Sequence, residues 1–166
     1  LPELDTEKRF FTSWSSAATA GFVAIMAQAA RYFKPYDPSY AQKCLDAATT
    51  SYNFLKANPS SQPFTQRFRT GGYGSPDEDD RLWAAAEMWE TTGKAEYLED
   101  LEARLSAKDV KVDENWDWGN VRNLGTFTYL LSKRKGKNPA LLSEVKKQTL
   151  EVADQIVSKA GKDIFN

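Results

Sequence analysis

Gly71-Gly72-Tyr73-Gly74-Ser75-Pro76-Asp77-Glu78-Asp79-Asp80-Arg81-Leu82-Trp83-Ala84-Ala85-Ala86-Glu87-Met88-Trp89-Glu90-Thr91-Thr92-Gly93 runs from a glycine-rich loop through four consecutive acids into an amphipathic helix. Leu82, Ala85, Ala86 and Trp89 recur at helical spacing, so the helix is predicted from about Asp79 to Thr91, with Thr92-Gly93 as its C-cap. Trp83 and Trp89 lie inside that helix and read as packing residues rather than ligand platforms.

The same period extends outward in both directions. Toward the N-terminus, Phe22, Ile25, Met26, Ala29, Ala30 and Phe33 mark one face of a helix within Ser13 to Phe33, ended by Lys34-Pro35. Asp37-Pro38 then supplies an N-cap and a proline at the first helical position. Ala41, Cys44, Leu45, Ala48, Tyr52 and Leu55 carry that second helix to about Ala57. Residues Asn58 to Pro76 hold three prolines and three glycines without a sustained period, which predicts a long loop of the kind that usually carries function.

Toward the C-terminus, Ala95 to Leu105 presents Tyr97, Leu98, Leu101 and Leu105. Asp117 to Ser132 carries Val121, Leu124, Thr128 and Leu131. Asn138-Pro139 opens a last helix, with Leu142, Val145, Thr149, Val152, Ala153, Ile156 and Val157, to about Ala160-Gly161. The basic run Lys133 to Lys137 suits a helix C-terminus and a solvated surface. No segment alternates with the period of a strand. The expected class is all-α, six helices in three hairpins, as in a helical solenoid or toroid whose units bury their faces only against neighbours.

Composition narrows the chemistry. The 166 residues contain no histidine, which removes Ser-His and Cys-His nucleophile pairs and His-ligated metals. Cys44, the single cysteine, falls on an apolar stripe and reads as an inert buried thiol. Twenty-two basic residues balance 23 acidic ones, with no run dense enough to follow a phosphate backbone, so nucleic acid is not an expected partner. The longest apolar stretch, Ala17 to Phe33, is broken by Gln28 and Arg31 and is short for a bilayer span, so no membrane association is expected either. Leu1 opens without the charged and apolar regions of a signal peptide, as a processed or excised chain would.

The acids at the start of the central helix admit two readings. Carboxylates near a helix N-terminus stabilise it by about 0.3–1 kcal/mol each, which accounts for one or two of them. Four in succession repel one another, and with the carbonyls of Gly74-Ser75-Pro76 they resemble the oxygen shell of a hard cation. An inverting glycosidase needs two carboxyl groups about 6.5–9.5 Å apart across a sugar, and contiguous acids fit that role poorly.

The run Ser75-xxx-Asp79-Asp80-xx-Trp83-Ala84-Ala85-Ala86-Glu87-Met88-Trp89-xx-Thr92-Gly93 resembles the helix-opening motif of family 9 glycoside hydrolases, inverting cellulases built on an (α/α)6 barrel. Trp14 to Ala20, Tyr36-Asp37-Pro38 with Cys44-Leu45, and Trp116-Asp117-Trp118-Gly119-Asn120 are similar to that family in the same order. The nearest likeness is to the subgroup with an immunoglobulin-like module, which includes cellulosomal cellobiohydrolases. The resemblance implies that residues 1–166 are a central segment, about half of the six-hairpin barrel, whose partners are the remaining segments of the same catalytic domain.

It further implies a structural calcium ion held by Ser75, the carbonyl of Pro76, Asp79 and Asp80, with Asp117 a loose match for a later ligand. The implied ligand is β-1,4-glucan or a cello-oligosaccharide, with Trp14, Tyr73, Trp116 and Trp118 as candidate sugar platforms. Arg67 and Arg69 in the long loop are further candidates for sugar hydroxyls or surface acids. The family's Asp-Ala-Gly-Asp-like motif and its histidine and glutamate motifs are not reproduced, so no catalytic residue is assigned and the isolated chain is expected to be inactive. An extracellular, possibly cellulosomal location follows from resemblance alone. The alternative function is a noncatalytic α-helical carbohydrate- or protein-binding module.

Overall fold

The computed structural model describes residues 6, 13–63, 76–114 and 117–160. They form α1 (Ser16–Phe33), α2 (Pro38–Ala57), α3 (Glu78–Thr92), α4 (Ala95–Ser106), α5 (Arg122–Leu131) and α6 (Pro139–Ala160). Among the described residues the extended pairing is limited to an isolated bridge between Asp117 and Asn120. The expected caps set the boundaries. Asp37 Oδ1 accepts from the Tyr40 amide at 2.9 Å, Asn138 Oδ1 from Ala140 and Leu141 at 3.0 and 3.2 Å, and Gly93 ends α3 at φ 71°.

Helices α1, α3 and α5 run parallel as neighbours, and α2, α4 and α6 run back along the outside, each packed on the helix before it. Matching ends meet. Gly21 of α1 lies beside Asp80 of α3, and Gly125 of α5 lies on the backbone of Trp83. At the other end Arg31 reaches Glu87 and Thr91, and Ser132 reaches Glu90. A side chain at Gly125 would place Cβ 2.9 Å from Trp83 Cα, so only glycine allows this approach of α5 to α3.

Glu87, 1% exposed, joins the three parallel helices. Its carboxylate accepts from Arg31 Nη2 at 2.7 Å, Thr128 Oγ1 at 2.8 Å and Trp83 Nε1 at 3.3 Å. A buried charge this well partnered avoids the desolvation penalty that would otherwise unseat it. The apolar core is built from Leu82, Met88, Trp89, Tyr97, Leu101, Leu105, Tyr129 and Val145, all fully buried. Cys44 is buried, as expected of an inert thiol.

Three expected faces are corrected by the packing. On α1 the buried residues are Ser16, Ala20, Val23, Ala24, Ala27 and Ala30, while Phe22, Ile25 and Phe33 stand exposed. This helix is apolar around most of its circumference, so periodicity cannot choose a side. The small residues let α2 and α3 come close. On α5 the buried set is Asn123, Gly125, Thr126 and Tyr129, and Leu131 is exposed. That helix also begins at Arg122 rather than Asp117, because residues 117–120 close a turn of their own. On α6 only Leu141 and Val145 are buried; Leu142 packs partly against the core, while Ala153, Ile156 and Val157 of the expected stripe stand exposed. The basic run behaves as a C-terminal cap. Lys137 Nζ donates to Ser132 and Tyr129 carbonyls, and Arg134 donates to the Glu90 and Thr91 carbonyls of α3.

Candidate functional site

The starts of α1, α3 and α5 share one end of the molecule, where the acidic turn lies. Asp77 is the N-cap residue of α3 and is buried. It forms an ion pair with Arg81 one turn later, Nε to Oδ2 at 2.6 Å. Burial pushes its carboxyl up, but hydrogen bonds from Ser16 and Arg81 and the guanidinium charge outweigh this, leaving it below the ordinary carboxylate value. Glu78 points outward and pairs with Lys108 at 2.9 Å.

Asp79 reaches across to α5. Its Oδ2 accepts from the amide of Val121, the N-cap residue of α5, at 2.6 Å, and the residue is 8% exposed. Asp80 is half-buried, and burial together with the neighbouring carboxylates of Asp79 and Asp77 pushes its pKa up to about 7. The four acids have therefore separated into distinct roles. Asp77 is a counter-ion, Glu78 a surface partner, Asp79 a helix-bridging acceptor, and Asp80 a carboxyl whose ionisation is opposed by like charge.

Asp117 Oδ1 accepts from the Gly119 amide at 2.7 Å and closes the turn before α5. Among the described residues, no three acidic or thiol side chains converge as a ligand group. Pro76 is described and exposed, whereas Ser75, Tyr73 and Trp116 lie outside the described residues, as do Arg67 and Arg69. Trp14 precedes α1 at the same end, 41% exposed, edge-on to Phe54 with ring centroids 5.0 Å apart. Trp118 is 69% exposed. Trp89 is core as expected, and Trp83 is half-buried with its indole N–H on Glu87.

Sequence reading missed two contributors. Arg81 binds the Leu55 carbonyl at 3.0 Å and the Asn58 carbonyl at 2.9 Å besides Asp77. Ser16 exchanges hydrogen bonds with Gln62, its amide donating to the Gln62 carbonyl at 2.9 Å and its Oγ accepting from the Gln62 amide at 2.8 Å. The Asp-xxx-Arg spacing of 77 and 81 is a helical i,i+4 pair and was the available signal for the first. Nothing local marked the second, which depends on residues 46 apart.

Parallel inner helices backed by returning outer ones, with loops and acids gathered at one end, define part of an α/α toroid of the kind found in glycoside hydrolases. Residues 1–165 match the family described as Glycosyl hydrolase family 9, and the chain belongs to that family. It is 57% identical over 159 residues to Endoglucanase D of Acetivibrio thermocellus, which covers 95% of this chain and 25% of that protein. It is 32% identical over 151 residues to a cellulose 1,4-beta-cellobiosidase of the same organism, covering 79% of this chain and 17% of the relative. The crystal structure of the family 9 endoglucanase J30 superposes with a TM-score of 0.85 at 31% identity, covering 98% of this chain and 30% of that one. The chain thus spans a quarter or less of the length of these curated relatives. The all-α class and the (α/α)6 barrel expected from the sequence are those of the neighbouring structures.

Proposed function

We propose that this chain is the central segment of a β-1,4-glucanase catalytic domain that cleaves cellulose with inversion, its catalytic carboxylates lying in flanking sequence. The observation that carries this reading is the 57% identity to Endoglucanase D over nearly the whole chain but only a quarter of the relative. The commitments of the acidic turn support it, since Asp77 is tied to Arg81 and Asp79 to the Val121 amide rather than placed across a sugar. Exposed Trp14 and Trp118 are the described surfaces on which a pyranose ring would stack, joined in this proposal by Tyr73 and Trp116. A cellobiose-like isofagomine complex of a family 9 neighbour accords with such a ligand. The described helices include none long and apolar enough to cross a membrane, and an extracellular location is part of the same proposal. The 166-residue chain alone is expected to release no reducing sugar from cellotetraose; sustained release by the pure chain would overturn the placement of the chemistry outside it.

A structural calcium ion belongs to this reading. The donors fit a hard cation: the ionised form of Asp80 is made unfavourable by burial and by Asp79 and Asp77, which a divalent charge would relieve. Asp79, Asp80, Ser75 and the Pro76 carbonyl would hold it, with Asp117 a further candidate. Its contribution is structural, fixing the entry to α3 by neutralising repelling carboxylates. In calcium, the wild type should gain roughly 2.7 kcal/mol at a hundredfold excess over Kd, with Asp80→Asn gaining far less. In chelator the order reverses, because Asp80→Asn removes the repelling anion. The pH dependence then has a defined sign. Folded Asp80 keeps its proton to about pH 7 while the unfolded chain releases it near 3.8, so chelated wild type loses stability as pH rises through that window. Asp80→Asn should lack this slope. Melting curves in calcium and in EDTA that coincide at every pH would reduce the turn to a helix cap.

A further inference from the structure

We infer that Arg81 is the positioning residue of the acidic turn, anchoring both ends of the 58–77 segment, and that Asp77 is its counter-ion rather than a cation ligand. Arg81 is 6% exposed and each of its three guanidinium nitrogens has an acceptor. Nη1 donates to the Leu55 carbonyl at 3.0 Å in the last turn of α2, and Nη2 donates to the Asn58 carbonyl at 2.9 Å and the Ser60 carbonyl at 3.5 Å. Nε donates at 2.6 Å to Asp77, the residue that opens α3. Residues on the entry side of the segment and the residue at its exit therefore meet on one side chain.

Ser16 adds a third attachment. Through its amide and Oγ it holds Gln62, so the start of α1 is tied to the entry side of the same segment. A buried ion pair is tolerated only when its remaining donors are satisfied, and here backbone carbonyls at a helix C-terminus satisfy them. Asp79 and Asp80 follow Asp77 by two and three residues in the first turn of α3, so the point at which Asp77 is fixed sets where their carboxylates begin. Lysine cannot replace this arrangement, because an ammonium is a point charge without the fork that spans several acceptors. The anchoring stands on the hydrogen bonds alone. Its consequence for calcium rests on the reading proposed above.

The test compares wild type, Arg81→Met, Arg81→Lys, Asp77→Asn and Asp79→Asn as purified chains. Tryptic cleavage after Arg67 and Arg69 is followed by mass spectrometry, and calcium binding by titration calorimetry. Hydrogen bonds to a charged group are worth enough that both Arg81 variants should be cut about tenfold faster than wild type and bind calcium about tenfold more weakly, with helical circular dichroism retained. Asp77→Asn keeps the guanidinium on the carbonyls and should fall between them and wild type. If Arg81→Met does not fold, Arg81→Lys and Asp77→Asn carry the comparison. Arg81→Lys matching wild type in both measurements would overturn the inference, since charge alone would then suffice. Asp77→Asn losing calcium as fully as Asp79→Asn would make Asp77 a ligand and overturn it as well. If wild type takes up no calcium, the calcium reading fails by itself, and the trypsin rates still decide the anchoring.

Discussion

Helices α3 and α6 each carry apolar residues at helical spacing and have opposite fates. Of the 15 residues of α3, Asp79, Arg81, Leu82, Ala84, Ala85, Ala86, Glu87, Met88 and Trp89 are buried, charged residues included, because α1, α4 and α5 surround it. Of the 22 residues of α6, only Leu141 and Val145 are buried, and Leu150, Ile156 and Val157 stand 57%, 50% and 71% exposed. The difference lies in the neighbours. A stripe records that a face must be covered, while position in the toroid decides whether this stretch of chain supplies the cover. Exposed Phe22 and Ile25 on α1 tell the same story at the other edge.

The comparison breaks first at Glu87 if α3 is not the hub. Glu87→Ala leaves the Arg31 guanidinium, Thr128 and the Trp83 indole without their shared acceptor, and should cost about 3 kcal/mol in urea denaturation, toward the lower end for a broken buried pair because Arg31 is partly solvated. A loss under about 1 kcal/mol would show that the three parallel helices hold together without it. Next comes Gly125→Ala. The added methyl meets the Leu82 side chain and the Trp83 backbone, so about 2 kcal/mol of overpacking should exceed the roughly 1 kcal/mol that alanine gains in helix propensity. Unchanged or raised stability would mean that α5 can move off α3, and that the contact between the inner helices is looser than the hub role of α3 requires.

These two residues also show what could be read before any coordinates. Helix number, the caps at Asp37, Asn138 and Gly93, and the buried faces of α2 and α4 follow from local spacing, since those two helices have one polar side that excludes the alternative. The faces of α1 and α5 do not, because apolar residues surround α1 and small or polar residues such as Ala24, Gly125 and Thr126 form the close-packed contacts that hydrophobicity underrates. At the site, the position of the acids was legible and their division of labour was not. Asp79 is satisfied by an amide 42 residues away, and Asp77 by an arginine whose other partners close a loop. Long-range acceptors leave no period in a sequence. A buried carboxylate and a cation ligand therefore look identical there.

The smallest expected effect sharpens the comparison most. Ile156→Ser and Val157→Ser on α6 change side chains that are half or more exposed, so each should shift the stability of the isolated chain by no more than about 0.5 kcal/mol. Placed in a chain carrying the flanking sequence, the same substitutions should cost about 1–3 kcal/mol each, because the added helices would bury those positions. Leu101→Ser on α4, fully buried already, should be severe in both settings. The quantity that matters is the difference between settings for α6 set against its absence for α4. If Ile156 and Val157 remain indifferent in the longer chain, the toroid does not close over α6, and its apolar stripe serves something other than the barrel wall. If their cost appears only there, exposure on this segment maps, residue by residue, the surface on which the rest of the domain rests.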